Sequence, residues 1–140
     1  SSIIVNYFIP MTTICFAVFF LNIEKKYFHT FWSTWFSKEL NASATTHAID
    51  ISNQKRAWNF GSDYSSPQER AELAGFVGVI RGENVSETFE GEFEVLRVWL
   101  KNDLSSKVIL ESNATHIGLG WFQEENGTIW WVQKFGQKLN

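Results

Sequence analysis

The sequence contains very little cysteine, since Cys15 is the only one in 140 residues. A single thiol cannot form an intramolecular disulfide, and it cannot supply a cysteine-based metal site. In its apolar surroundings Cys15 is interpreted as a small buried hydrophobe. The missing disulfides neither require nor exclude an oxidising compartment, so this absence decides nothing about location.

The chain also lacks any run of like charge. It carries 12 lysines and arginines against 15 aspartates and glutamates, for a net charge of −3. Nucleic-acid-binding domains usually concentrate basic residues on one face, and this sequence has no such concentration. We therefore predict that the protein does not bind nucleic acid.

Aromatic residues, by contrast, are abundant. Seven tryptophans, thirteen phenylalanines and three tyrosines bring the aromatic share to 16%, in a sequence that is 44% hydrophobic. This content argues against disorder, and the length is that of one domain with one core.

An apolar segment opens the chain, with no charged residue between Ser1 and Asn22. That length suits a membrane span or a signal-type segment, although Pro10 weakens the first interpretation. A helical spacing of aromatic residues predicts an amphipathic helix over about residues 15–30. We therefore divide the chain into residues 1–14, an anchor or assembly contact, and residues 15–140, the domain. Residues 1–22 are a candidate membrane contact.

Four asparagines lie in Asn-x-Ser/Thr sequences, which are acceptors for N-glycosylation: Asn41, Asn84, Asn113 and Asn126. Their number favours a domain outside the cytosol, either secreted or membrane-associated.

Periodicity and capping signals predict three further helices. The first begins near Thr34 and carries one apolar stripe, which includes His47. The second is short and follows Ser66-Pro67-Gln68-Glu69, a capping box with proline at the first helical position. The third extends from about Gly91 to Asn102.

The last part of the chain is predicted to form a β-hairpin. Residues 115–123 and 128–135 flank Asn126-Gly127, a pair typical of a type I′ turn. The last strand is apolar on both faces, which indicates a strand between two layers. Helices and strands in this order predict a three-layer α/β/α sandwich with a small, mainly antiparallel sheet.

Six local motifs occur in an order that resembles the CAP superfamily, the cysteine-rich secretory, antigen 5 and pathogenesis-related 1 domains, in its bacterial-type branch. They are the helix with Trp35, Leu40, Ala44 and His47-Ala48-Ile49-Asp50; Gly61-Ser-Asp-Tyr-Ser-Ser-Pro67, similar to Gly-Ser-Asp-Gly-Ser-Ser-Pro; Gly82-Glu83-Asn84; Trp99 with Ile109-Leu110; Ile117-Gly118-Leu119-Gly120; and Trp131-Val-Gln-Lys-Phe-Gly136. Ordered matches with preserved spacing rarely arise by chance. The resemblance implies the same α/β/α fold.

The resemblance also implies a cleft that often holds two histidines and one or two glutamates. The equivalent positions in this chain are Asn59, Glu83, Asn102 and Ser105, or Ser106 in place of Ser105 if the register shifts by one residue. Only the Gly-Glu-Asn glutamate is therefore kept. Amides and a hydroxyl are poor substitutes for imidazole at a zinc-like site, and no general base near neutral pH remains. We predict no metal, no cofactor and no catalytic residue. Glu83 is interpreted as hydrogen-bonded to backbone in its loop, and His47 as a histidine at the edge of the core.

Three functions remain open at this point. The first is a non-catalytic binding or assembly domain whose partner is a protein or, as some family members imply, a lipid or sterol. The second is a structural subunit of a membrane complex, anchored by the apolar segment. The third is a residual metal-dependent hydrolase that uses Glu83.

Overall fold

The computed structural model describes residues 35–139. The predicted helix over about residues 15–30, the boundary at residue 15 and the candidate membrane contact of residues 1–22 lie outside the described residues. Within the described part of the chain, no helix combines the length and the apolar character that crossing a bilayer requires.

The described chain contains four strands and four helices. In chain order they are β1 (Trp35–Phe36), α1 (Lys38–Gln54), α2 (Pro67–Leu73), β2 (Gly78–Thr88), α3 (Glu92–Lys101), α4 (Asp103–Ile109), β3 (His116–Gln123) and β4 (Ile129–Lys138). The predicted helix near Thr34 begins instead at Lys38, because Ser37 caps it by accepting a hydrogen bond from the Leu40 amide.

The capping box predicted before α2 is confirmed. The Ser66 side chain accepts from the Glu69 amide, and the Glu69 carboxylate accepts from the Ser66 amide at 2.8 Å. The helix ends at Leu73, and Gly75 then adopts a φ of +94°. Both ends of this short helix are therefore determined by local sequence.

One sheet with strand order β1-β3-β4-β2 forms the middle layer. The pairs β3–β4 and β2–β4 are antiparallel, and β1 joins β3 in parallel. The predicted sandwich with a mainly antiparallel sheet is thus confirmed. Three elements were not predicted. They are β1, which lies where the start of a helix was expected, β2, whose sequence is mostly polar from Arg81 onward, and α4, which follows α3 after a single capping residue, Asn102.

Strand β4 carries the core on both faces, as its apolar residues predicted. On one face, Trp130 and Val132 pack against Ala44, Ala48 and Ile51 of α1. On the other face, Trp131 and Phe135 join a cluster formed with α3 and α4; its helical members are Val95, Leu96, Trp99 and Ile109. Alternate side chains of a strand point to opposite faces, so one buried strand connects both helical layers.

The hairpin is confirmed, but its predicted turn type is wrong. Gly127 donates to the Glu124 carbonyl at 2.9 Å, and Glu124 donates to the Thr128 carbonyl at 2.8 Å. Within the turn only Gly127 has a positive φ, +92°. A type I′ turn needs positive φ at both central residues, so this is a type I turn followed by a left-handed glycine.

We expect Gly127→Val to lower the free energy of unfolding by about 1–3 kcal/mol, because it places a β-branched residue in the left-handed region. The nearest atom to a Cβ at this position is in Phe89 at 3.8 Å, so the cost is conformational and not steric. Gly127→Asn is the matched control, and it should cost less because asparagine tolerates this conformation better. Urea denaturation measures both, and equal losses would contradict the assignment.

Candidate functional site

Glu83 lies in the middle of β2, opposite Lys134 of β4 in the strand register. Its side chain is only 1% exposed. The prediction that it sits in a loop and binds backbone groups is wrong, since its carboxylate contacts charged and polar side chains. A buried carboxylate is costly unless it is paired and hydrogen-bonded, so its partners decide what the site can do.

Two buried cations flank this carboxylate. Arg70 of α2 donates from Nη2 to Glu83 Oε1 at 2.7 Å. Lys134 Nζ lies 3.0 Å from Oε2, as an ion pair that is not aligned for a hydrogen bond, and the lysine side chain is 0% exposed. Lys134 Nζ also donates to Ser43 Oγ at 2.6 Å. One carboxylate thus holds together α2, β2 and β4, and the lysine extends the network to α1.

Two further side chains complete what we call the Glu83 cluster: Glu83, Arg70, Lys134, His47 and Asn59. Asn59 Nδ2 donates both to the Glu83 carbonyl at 3.1 Å and to Oε1 at 3.2 Å. His47 Nε2 lies 2.8 Å from the Trp58 carbonyl and 3.7 Å from Glu83 Oε1. A carbonyl can only accept, so this geometry assigns the imidazole proton to Nε2.

Burial governs the protonation of this cluster. It lowers the pKa of His47 below its usual value, and the attraction of Glu83 opposes that effect. Burial likewise lowers the pKa of the Lys134 ammonium, again against the pull of Glu83. His47 is therefore neutral near pH 7, and it is a hydrogen-bond donor within the core more than a proton acceptor at a site.

The lowered pKa of His47 predicts a loss of stability on mild acidification. The unfolded imidazole takes up a proton near pH 6.5, whereas the folded one does so only at lower pH. The unfolded state therefore binds more protons as the pH falls below about 6.5, and the free energy of unfolding decreases down to the folded pKa. His47→Gln should flatten this slope between about pH 5 and 7 in urea titrations. His116, whose pKa burial also lowers, provides the comparison as His116→Gln. An unchanged slope in His47→Gln would contradict the assignment.

Asn102 and Ser105 do not join the Glu83 cluster. Asn102 Oδ1 accepts from the amides of Leu104 at 3.1 Å and Ser105 at 3.0 Å, so Asn102 is the N-cap of α4. The Ser105 carbonyl accepts from Asn84 Nδ2 at 3.0 Å. Asn84 follows Glu83 in β2, and its side chain therefore points to the other face of the sheet.

Of the four family-equivalent positions, the structure brings Asn59 and Glu83 into contact. Between residues 35 and 139 it contains no group of three histidine, cysteine or carboxylate side chains arranged to hold a metal ion. The donors around Glu83 are cationic or amide groups, which stabilise its negative charge and compete with any metal for its oxygens. The Glu83 cluster is therefore suited to holding α1, α2, β2 and β4 together.

Arg70 and Lys134 are partners of Glu83 that were not predicted from the sequence. A signal existed for Lys134, because it lies in Trp130-Trp-Val-Gln-Lys-Phe135, a run that is buried on both faces and requires a partner for its ammonium group. No comparable signal marked Arg70, which occupies a short helix of otherwise ordinary polar sequence.

The predicted glycosylation positions differ in accessibility. Asn84 is 4% exposed, and its amide also donates to Gln133 Oε1 at 3.2 Å, so the folded domain cannot present it and that assignment is corrected. Asn41 is half-buried, with Oδ1 accepting from the Leu119 amide at 2.9 Å. Asn113 and Asn126 are exposed.

This fold is similar to that of two solved bacterial proteins. One is an extracellular protein of Bacillus anthracis that contains an SCP domain, with a TM-score of 0.68 and 17% identity over 75% of this chain and 34% of that one. The other is an outer surface protein of Borrelia burgdorferi, with a TM-score of 0.67 and 14% identity over 91% of this chain and 89% of that one. These likenesses define the fold class, an SCP-type α/β/α sandwich.

Sequence comparison identifies the family. The model of the cysteine-rich secretory protein family, CAP, matches residues 34–135, and the chain belongs to that family. It is also 30% identical over 98 residues to the uncharacterized protein YkwD of Bacillus subtilis, covering 70% of this chain. The chain spans 37% of the length of that relative.

Proposed function

We propose that this chain is a non-catalytic CAP domain that binds a protein or lipid partner outside the cytosol. The observation that supports it most directly is the state of Glu83. The carboxylate kept from the family cleft is buried, paired with Arg70 and Lys134, and hydrogen-bonded by Asn59. A carboxylate whose oxygens already contact two cations and an amide has little capacity to contact a substrate.

The proposal disfavours a metal-dependent hydrolase. Asn59 stands where the family often has histidine, and its amide already donates to Glu83. Ser105 stands at the second histidine position, and its backbone carbonyl is bound by Asn84 on the opposite face of the sheet. Replacement of imidazole by an amide and a hydroxyl removes the donors that zinc prefers.

Two structural neighbours support the proposed location outside the cytosol. One structural neighbour is described as extracellular and the other as an outer surface protein. The exposed sequons at Asn113 and Asn126 are compatible with such a location. The proposal concerns the CAP domain, since the chain spans about a third of the length of two of its relatives.

Calorimetric titration of the purified chain with Zn²⁺ tests the non-catalytic assignment. We expect only weak, non-saturating heats, equal to those of a variant in which Glu83 is replaced by glutamine. Ester hydrolysis measured with and without Zn²⁺ should stay at the level of the buffer. A stoichiometric site of about micromolar affinity or tighter, together with hydrolysis that depends on it, would overturn the proposal.

A further inference from the structure

A groove separate from the Glu83 cluster lies between the loop after Gly61 and helix α2. Its volume is about 540 Å³, within the range of ligand-binding clefts. The lining residues are Asp63, Tyr64, Ser65, Glu69, Glu72 and Leu73. None of them belongs to the Glu83 cluster, although the carbonyl of Ser65 accepts a hydrogen bond from Arg70 of that cluster.

Tyr64 is the most unusual residue of this groove. Its φ is +65°, a left-handed conformation that costs a residue with a Cβ about 1–2 kcal/mol. The family loop that this segment resembles has glycine at the same position. The tyrosine side chain is nevertheless 81% exposed, so the domain holds a large ring in solvent despite the backbone cost.

Leu73 provides a second apolar side chain in the same groove. It is the last residue of α2 and is 83% exposed. A single exposed leucine is ordinary, but here it lines the same concave surface as an exposed tyrosine, a residue type that is enriched among the anchors of protein interfaces. The groove thus presents exposed apolar surface whose burial by a binding partner would be favourable.

All of the charged residues that line the groove are acidic. Asp63, Glu69 and Glu72 line it, and none of its lining residues is basic. Hydrogen bonds from Ser65 lower the pKa of Asp63, and those from Ser66 lower the pKa of Glu69, so both stay ionised at neutral pH. The guanidinium of nearby Arg70 attracts both carboxylates, but its hydrogen bonds go to Glu83 and to the Ser65 carbonyl at 2.6 Å.

We propose that this groove binds a basic segment of a partner protein. An arginine or lysine of the segment lies over the Tyr64 ring with its charge toward the three carboxylates, and an apolar neighbour packs on Leu73. Cation–π contact and charge complementarity favour such a segment, and the same carboxylates repel an anionic membrane surface. This inference rests on the proposed binding function and names the class of partner.

Fluorescence polarisation with a labelled hexapeptide of alternating arginine and leucine tests the groove, using the full chain at low salt. A hexapeptide of alternating glutamate and leucine is the negative probe. Tyr64→Gly and Glu72→Lys should each weaken binding of the basic peptide by about tenfold or more. Tyr64→Gly is informative because glycine suits the backbone there, so its melting temperature should not fall. Glu125→Lys in the β3–β4 turn is the matched control for net charge, and it should change the affinity by less than about twofold.

Three results would overturn the groove assignment: equal binding of the two peptides, an unchanged affinity in Tyr64→Gly, or an equal loss in Glu125→Lys and Glu72→Lys. None of them bears on catalysis, so the proposed non-catalytic function would survive with another surface as its binding site. Conversely, a zinc-dependent hydrolase activity would remove the proposed function and leave the peptide measurements valid.

Discussion

Replacement of Glu83 by glutamine is expected to lower the free energy of unfolding by about 3–5 kcal/mol, the cost of breaking a buried ion pair by removing one partner. Arg70 would keep its charge in the core without this counter-ion, and Lys134 would lose the attraction that opposes the lowering of its pKa by burial. Domains of this size are stable by about 5–15 kcal/mol, so the loss is a large fraction of the total. Urea denaturation followed by tryptophan fluorescence measures it.

Glu87→Gln is the matched control, because Glu87 lies on the same strand but is exposed. It should change stability by less than about 0.5 kcal/mol. The double variant Glu83→Gln with Lys134→Met removes one of the unpaired cations and should recover part of the loss. If Glu83→Gln were as stable as Glu87→Gln, the buried cluster would not exist in solution.

Replacement of Gly120 by alanine is expected to destabilise the domain by about 3 kcal/mol, at the upper end for overpacking. A Cβ at this position would overlap the backbone of Ala44 and Thr45 in α1. Gly118 meets the same helix at Leu40, so the two glycines allow α1 to lie directly on β3. Backbone atoms cannot move aside as a flexible side chain can, and the helix would have to shift as a whole.

Gly91→Ala separates this steric effect from a general effect of replacing glycine. A Cβ at Gly91 has no heavy atom within 4 Å, and its φ of −77° suits alanine. We expect a loss of less than about 1 kcal/mol, from the change at the N-cap of α3. Thermal denaturation of both variants measures the difference, and similar melting temperatures would show that α1 does not approach β3 closely.

The elements predicted correctly are those with strong local signals. Ser66 and Glu69 predict the start of α2 because a capping box involves only residues three positions apart. Asn126-Gly127 predicts the hairpin because a short loop between two strands needs a residue in the left-handed conformation. The turn type was wrong because the dipeptide does not specify which of its residues takes the positive φ.

Strand β2 was not predicted because its local sequence does not indicate a strand. Its sequence from Arg81 to Thr88 is mostly polar, and the burial that makes it a strand comes from β4 on one side and from the helices above and below. Local propensity carries little of this information, since strand formation depends on packing against neighbours. The Glu83 position was therefore placed in a loop.

By itself the sequence determined the fold class and the apolar character of both faces of β4. These depend on composition, period and residue identity along the chain. Only the tertiary structure showed which groups the Glu83 carboxylate contacts. Its partners Arg70 and Lys134 come from different elements, and strand register and helix packing bring them to it. Burial of a charge is a property of the assembled core, and no local pattern of residues encodes it.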